Sequence, residues 1–327
     1  MKKLSLYVVM LGVLAVLPLV FPNEYTLHLL ILAAINIVFA SSLNLISGYV
    51  GELSLGHAAF AGLVAYATAL LTLRGYSPWL GLLAAVAVTG VSAYLIGLVV
   101  IRLRGAYFVI SSLAFQMTMF FIASNWLTVT HGPMGLLGIP KPKLWLPGIG
   151  SIELVSKMDF YYLSVIVAIV VVIACNRLVK APIGESWVAI RENEKLSAAV
   201  GIDRTRYVRI AFMFAAGFAG VGGWLLAHYI GVVSPNDNMS FDLIISFILM
   251  VVIGGRGTIT GPIIGAVVVT VLPEYLRGLG NWRLTAYGVI LALLVIFLPR
   301  GFMQLWEMVY SRLHPLVVAA LPIKRRE

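Results

Sequence analysis

Leu27-His-Leu-Leu-Ile-Leu-Ala-Ala-Ile-Asn-Ile-Val-Phe-Ala-Ser-Ser-Leu-Asn-Leu-Ile46 runs for 20 residues without an Asp, Glu, Lys or Arg. A helix of that length matches the hydrocarbon core of a bilayer, which needs about 20 mostly apolar residues. Nine other stretches read the same way: Leu4–Phe21, His57–Leu73, Leu80–Ile101, Ala106–Leu127, Phe160–Val179, Ile210–Val233, Leu243–Ile253, Ile263–Leu276 and Leu284–Leu298. The pair 243–253 and 263–276 is short and is split by the glycine-rich stretch Gly254–Pro262. It reads either as two short helices or as parts of broken ones. The predicted fold is therefore all-α: a polytopic integral membrane protein of about 10 transmembrane helices, with a membrane domain over residues 1–300.

Composition agrees. Of 327 residues, 61% are hydrophobic and 11% charged, against roughly 45–50% and about 25% in soluble domains. Too little charge is present to cover a water-facing surface, which argues against a soluble enzyme or a disordered chain. The net charge of +10 would suggest nucleic acid only if the basic residues formed a stripe. They sit instead in short clusters between apolar runs. With the N-terminus inside and all ten segments crossing, 17 of the 23 basic residues fall on the inner side. The six outside are Arg74, Lys141, Lys143, Lys157, Arg277 and Arg283. The positive-inside rule thus predicts both termini in the cytoplasm. Val20-Phe21-Pro22-Asn23-Glu24 offers no small-x-small cleavage site, so the first span reads as a retained anchor. The lone Cys175 reads as a buried, inert thiol. The five histidines form no metal-binding pair, and no Gly-Lys-Ser/Thr phosphate loop occurs.

Two connections are long. The outer segment Thr128–Asp159 is rich in turn-formers, from Gly132-Pro133 to Pro147-Gly148. It reads as an extracytoplasmic loop, either a plain connector or a docking surface; loops of this length without secondary structure tend to be functional. The inner segment Lys180–Arg209 is the only long polar stretch. No Gly or Pro interrupts Glu185–Val200, which predicts one short helix. Gly201 is placed for a left-handed cap, with Ile202 following it. Asp203 suits the N-cap of the next helix. The apolar residues Ala189, Leu196, Ala199 and Val200 share one side, whereas Trp187 and Ile190 lie off it. Such a helix presents apolar groups to its own bundle and to a partner; a solvated loop helix is the alternative.

Two glycine-rich stretches lie at membrane edges. One is Ser47-Gly-Tyr-Val-Gly51-Glu-Leu-Ser54-Leu-Gly56-His57, preceded by Asn44; the other is Gly254-Gly255-Arg-Gly257-Thr258-Ile-Thr-Gly261. Glycine lets helices approach closely in lipid. It also permits unwound backbone, which at membrane depth is tolerated only inside protein or along a wet cavity. Interrupted helices commonly mark a translocation site. His57 is the one titratable group expected well inside the first half of the bundle, in a functional or a hydrogen-bonded structural role. Glu24, Glu52, Asp159, Asp237, Asp242, Glu274 and Glu307 all fall at span ends or in loops. The absence of a carboxylate at a span centre weakens an ion-coupled carrier. Beyond residue 300, Phe302, Leu305, Trp306, Val309 and Leu313 recur at helical spacing before Lys324-Arg325-Arg326. Residues 301–327 therefore read as an interfacial helix with a basic tail.

Taken in order, four stretches resemble the LivM-type permease subunits of branched-chain amino acid ABC importers. They are Leu43–Phe60, Leu103-Arg-Gly-Ala-Tyr-Phe108, Ala189–Glu194 with Ala198–Ile202, and Gly254–Pro262. The outer stretch Gly132–Pro140 also fits. The resemblance implies that 1–300 is a transmembrane permease domain forming half of a translocation pathway. It implies a coupling segment at 180–209 that docks on a separate ATP-hydrolysing subunit, through Glu185, Arg191, Glu192, Glu194, Ala198, Ala199 and Gly201. Three residues separate Glu194 from the alanine pair, a loose form of the importer pattern. Residues expected on the pathway are Asn44, Gly48, Gly51, Ser54, Gly56, His57, Gly254, Gly255, Gly257, Thr258 and Gly261. The implied partners are a second, distinct permease subunit, two ATP-binding cassette subunits and an extracytoplasmic substrate-binding protein. The chain itself would be no enzyme, would hold no cofactor, and would lie in the inner membrane of a prokaryote. Permeases for urea or short amides, or an autonomous carrier or channel, are the competing readings.

Overall fold

The computed structural model describes Pro18 and residues 23–146, 150–153, 156–298 and 301–302. The first predicted span, apart from Pro18, and nearly all of the expected interfacial helix lie outside the described residues. The helices are α1 Glu24–Asn44, α2 His57–Leu73, α3 Pro78–Val100, α4 Ala106–Asn125, α5 Leu127–Thr130 and α6 Lys157–Lys180. Then come α7 Pro182–Glu192, α8 Glu194–Ala199, α9 Arg204–Ile230, α10 Pro235–Asn238, α11 Phe241–Gly254, α12 Thr260–Tyr275 and α13 Arg283–Phe297. Among the described residues, seven helical stretches are long and apolar enough to cross a membrane. α2 and most of α13 are shorter apolar helices. The 243–253 and 263–276 candidates are two separate helices, α11 and α12, joined by an unwound loop.

Local chemistry sets the helix ends. The Asn23 side chain accepts from the Tyr25 amide, and Ser156 and Asp159 form a reciprocal capping box. Pro78 and Pro182 occupy first-turn positions, where no amide hydrogen is needed. α1 and α9 form the centre. α9 packs on α1, α2 and α3, while α1 also meets α6, α11 and α12. α9 can approach closely along the middle of its length, where its buried residues include the small Ala211, Ala215, Ala216, Ala219, Gly220, Gly222 and Gly223. A Cβ on Gly223 would overlap the Ala61 carbonyl of α2. Phe39 of α1 stacks on Phe247 of α11 with ring centres 4.4 Å apart.

The outer segment differs from the expected unstructured loop. β1 (Leu136–Leu137) pairs antiparallel with β4 (Val232–Val233), and β2 (Lys143–Leu146) pairs with β3 (Gly150–Glu153). Side chains of the bundle hold this layer. His228 donates through Nδ1 to the Pro140 carbonyl (2.7 Å), and its Nε2 accepts from the Thr68 hydroxyl (3.0 Å). Trp79 donates to the Lys143 carbonyl at 2.8 Å. Backbone groups on a turn-rich segment must find partners, and here Trp79 of α3, His228 of α9 and the strand β4 supply several of them.

Candidate functional site

The end of the bundle opposite those strands gathers the two glycine-rich stretches and the polar segment. α1 ends in a π-helical turn, Leu45–Val50, closed by Gly51 at φ 88°. The Ile46 carbonyl accepts from the amides of both Gly51 and Glu52. π-Turns leave backbone groups displaced and are frequent at functional sites. Asn44 faces the unwound loop between α11 and α12: its amide donates to the Thr258 carbonyl (2.8 Å), and its oxygen accepts from the Gly257 amide (3.0 Å). Thr258 closes the same loop, donating to the Gly255 carbonyl and accepting from the Gly261 amide. The unwound backbone is thus satisfied by protein, as membrane depth requires. A Cβ on Gly254 would overlap the Gly261 carbonyl, and one on Gly265 would overlap that of Met250, so these glycines serve the contact of α11 with α12.

Arg191 of α7 enters this junction. It donates to the Gly48 carbonyl at 2.7 Å. Its side chain would lie 2.7 Å from a Cβ on Gly51 and 2.6 Å from one on Gly257. Two glycines from distant stretches therefore make room for one arginine side chain, Gly51 for its stem and Gly257 for its guanidinium, while Gly48 supplies the acceptor carbonyl. A Cβ on Gly48 would overlap Asn44 Oδ1 and sit 2.5 Å from the Gly257 amide. Gly48→Ala is expected to destabilise the chain by about 1–3 kcal/mol, the usual range for overpacking. Gly278→Ala, where no atom lies within 4 Å of an added Cβ, is the control. Thermal unfolding in detergent checks both; equal midpoints would rule out the tight junction.

The polar segment is two helices rather than the single one expected over 185–200. It begins at Pro182 and breaks at Asn193 (φ −157°), whose side chain caps the Leu196 amide. The segment has two faces. Trp187 (0% exposed) and Ile190 pack inward, with Trp187 donating to the Tyr207 carbonyl at 2.9 Å. Leu196 and Val200 point out, 63% and 71% exposed. Gly201 has φ 87°, and the bonds Gly201 N–H to Ala198 O and Ile202 N–H to Ser197 O complete a Schellman motif. Asp203 caps α9 through the amides of Thr205 and Arg206.

Glu185, Glu192, Ala198, Ala199 and Gly201 lie on the exposed surface. Glu194 does not join them. It lies 2.7 Å from Arg104 and 3.7 Å from Arg204, so its charge is paired within the chain. Arg204, 8% exposed, is ion-paired with Glu52 and donates to the carbonyls of Ile101 and Leu103. One side chain therefore ties together the turn after α1, the α3–α4 connection and the start of α9. Sequence reading passed over Arg204, Glu52 and Arg104, because nothing local marks an ion pair 152 positions apart.

Ser54, Gly56 and His57 lie away from the Arg191 junction, against α4. The Leu55 amide donates to Ser112, and His57 Nδ1 is 3.3 Å from Ser54 Oγ. His57 is fully buried, and its Nε2 makes no hydrogen bond. Gln116, also unexposed, bridges this corner to the far loop: it accepts from the Ala59 amide and donates to the Met239 carbonyl. A glutamine inside an apolar run was a readable signal, since a buried amide needs partners. Cys175 is buried as expected (3% exposed).

A family model described as branched-chain amino acid transport system / permease component matches residues 25–298. The high-affinity branched-chain amino acid transport system permease protein LivM of Escherichia coli K12 is 30% identical, covering 93% of this chain and 76% of its own length. The fructose import permease protein FrcC of Rhizobium meliloti is 25% identical over 68% of this chain and 62% of its own. The permease protein LivH of Salmonella typhimurium is 31% identical over 27% of this chain and 28% of its own. No solved structure matches the chain.

Proposed function

The chain belongs to the family of permease components of branched-chain amino acid transport systems, and from that premise we propose that it forms half of the translocation pathway of an ATP-driven importer. The proposed cargo is branched-chain amino acids, delivered by an extracytoplasmic binding protein. The protein is a multi-pass membrane protein and a permease component, not a transport ATPase. Hydrolysis of ATP belongs in a separate subunit, and no cofactor is needed in this one. The names LivM and LivH support pairing with a second, distinct permease subunit; two ATP-binding cassette subunits complete the assembly. The bacterial relatives support an inner-membrane location. The excess of basic residues on the α7–α8 side supports that end, and both termini, as cytoplasmic.

The observation that carries the coupling role is the two-faced segment α7–α8. Inward, Arg191 reaches the end of α1 and the turn between α11 and α12. Outward, Leu196 and Val200 offer an apolar knob flanked by Ala198, Ala199 and Gly201. A cassette subunit closing on ATP would push this knob, and the push would reach α1, α11 and α12 through Arg191 as a rigid shift. Glu185, Glu192 and the small residues belong to the docking face; Glu194 positions α8. Asn44, Gly48, Gly51, Gly254, Gly255, Gly257, Thr258 and Gly261 are the hinge side of the pathway, and Ser54, Gly56 and His57 its α4 side.

The test is uptake of labelled leucine by proteoliposomes holding this chain, its permease partner, the two cassette subunits and the binding protein. The expected result is ATP-dependent uptake, competed by isoleucine and valine. Competition by urea, short amides or fructose instead would overturn the substrate assignment. Uptake by the purified chain alone would overturn the importer reading.

A further inference from the structure

α3 and α9 run side by side, and between them their surfaces leave an apolar groove lined by Val86, Gly90, Ile210, Met213, Gly217 and Phe218, among others. Two features show that it is shaped rather than merely exposed. Gly90 and Gly217 lie in its walls, and a Cβ on either would meet no atom within 4 Å. They keep the groove open at places where any larger side chain would enter it. The lining positions of α9 recur every three to four residues, so they form one continuous stripe.

The same stripe carries Arg209 at the groove's end. Its guanidinium lies over the Tyr94 ring, 5.8 Å from the centroid, and its Nε is buried and makes no hydrogen bond. Arg206, one turn earlier, and Arg102, beyond the end of α3, are exposed. The nearest carboxylate along α9, Asp203, is occupied by the amides of Thr205 and Arg206. From Arg209 to Val221 the helix rises about 18 Å, close to one leaflet of a hydrocarbon core about 30 Å thick. A cationic head above an apolar channel one leaflet deep matches one class of ligand.

We propose that this groove binds an anionic phospholipid, its phosphate on Arg209 with Arg206 and Arg102 close by, and one acyl chain lying over Gly90 and Gly217. The site requires only that the chain spans a membrane; it does not depend on the cargo or on docking by a cassette subunit.

Native mass spectrometry of the intact chain in detergent, titrated with dioleoyl phosphatidylglycerol or dioleoyl phosphatidylcholine, tests it. The wild type is expected to retain phosphatidylglycerol preferentially. Arg209→Gln should weaken that lipid about fivefold, the effect of one cationic side chain near an anionic surface, and leave phosphatidylcholine unchanged. Arg209→Lys should keep the preference. Gly217→Leu, which adds bulk without changing charge, should reduce both lipids. Equal retention of the two lipids by the wild type, or an unchanged preference in Arg209→Gln, would overturn the site. So would cross-linking of Gly217→Cys to a protein segment in native membranes, because a polypeptide would then fill the groove.

Discussion

Arg204→Met is expected to be the most destabilising single substitution at the α7–α8 end of the bundle. Arg204 and Glu52 are 8% and 14% exposed at the side chain, so neither charge is well hydrated. Removing the guanidinium strands a carboxylate and frees the carbonyls of Ile101 and Leu103. Breaking a buried pair from one side costs about 3–5 kcal/mol. At roughly 2 °C per kcal/mol for a chain of this size, the unfolding midpoint should fall by roughly 6–10 °C. The double variant Glu52→Leu/Arg204→Met should recover part of the loss, because no lone charge remains. Thermal unfolding in detergent measures both. A single variant that melts with the wild type would show that the pair contributes nothing to the fold. The exposed Arg277–Glu274 pair is the contrast: with Arg277 67% exposed at the side chain, its removal should be nearly silent.

The largest functional effect is expected from Leu196→Asp/Val200→Asp. Both side chains project into solvent, so the chain should fold as before. Docking is a different matter. Burying a leucine or valine contributes about 1.5–3 kcal/mol, and an aspartate in an apolar cleft adds a desolvation penalty. Loss of both contacts should weaken the complex with a cassette subunit by at least about 100-fold, at 1.4 kcal/mol per tenfold. Co-purification of the cassette subunit reads this directly, and transport should fail with it. Retained ATPase with normal uptake would place the docking surface elsewhere. Trp187→Ala separates the two faces of the segment: it should loosen α7 from the bundle and lower thermal stability, because Trp187 is wholly buried.

The sequence by itself determined what depends on neighbours along the chain. Among the described residues, apolar runs of bilayer length are helices, since a backbone in lipid has to satisfy its own hydrogen bonds. The left-handed cap at Gly201 and the N-cap at Asp203 formed where they were read, because a cap is decided by two or three consecutive residues. The glycine-rich stretches read as places of unwound or closely packed backbone, though not that Gly51 and Gly257 flank Arg191 while Gly48 accepts from it.

Tertiary structure alone decided the rest. Continuity of good helix formers predicts one helix over 185–200; the chain instead breaks at Asn193, with Trp187 and Ile190 buried before the break and Glu194 reaching Arg104 and Arg204 after it. Glu194 reads as a docking contact until Arg104 and Arg204 are brought beside it. The outer segment is coil by composition, yet Leu136 pairs with Val233 and Pro140 with His228, residues nearly a hundred positions apart. In each case the deciding energy is burial or desolvation. Those terms depend on which groups meet in space, and linear order carries no record of that.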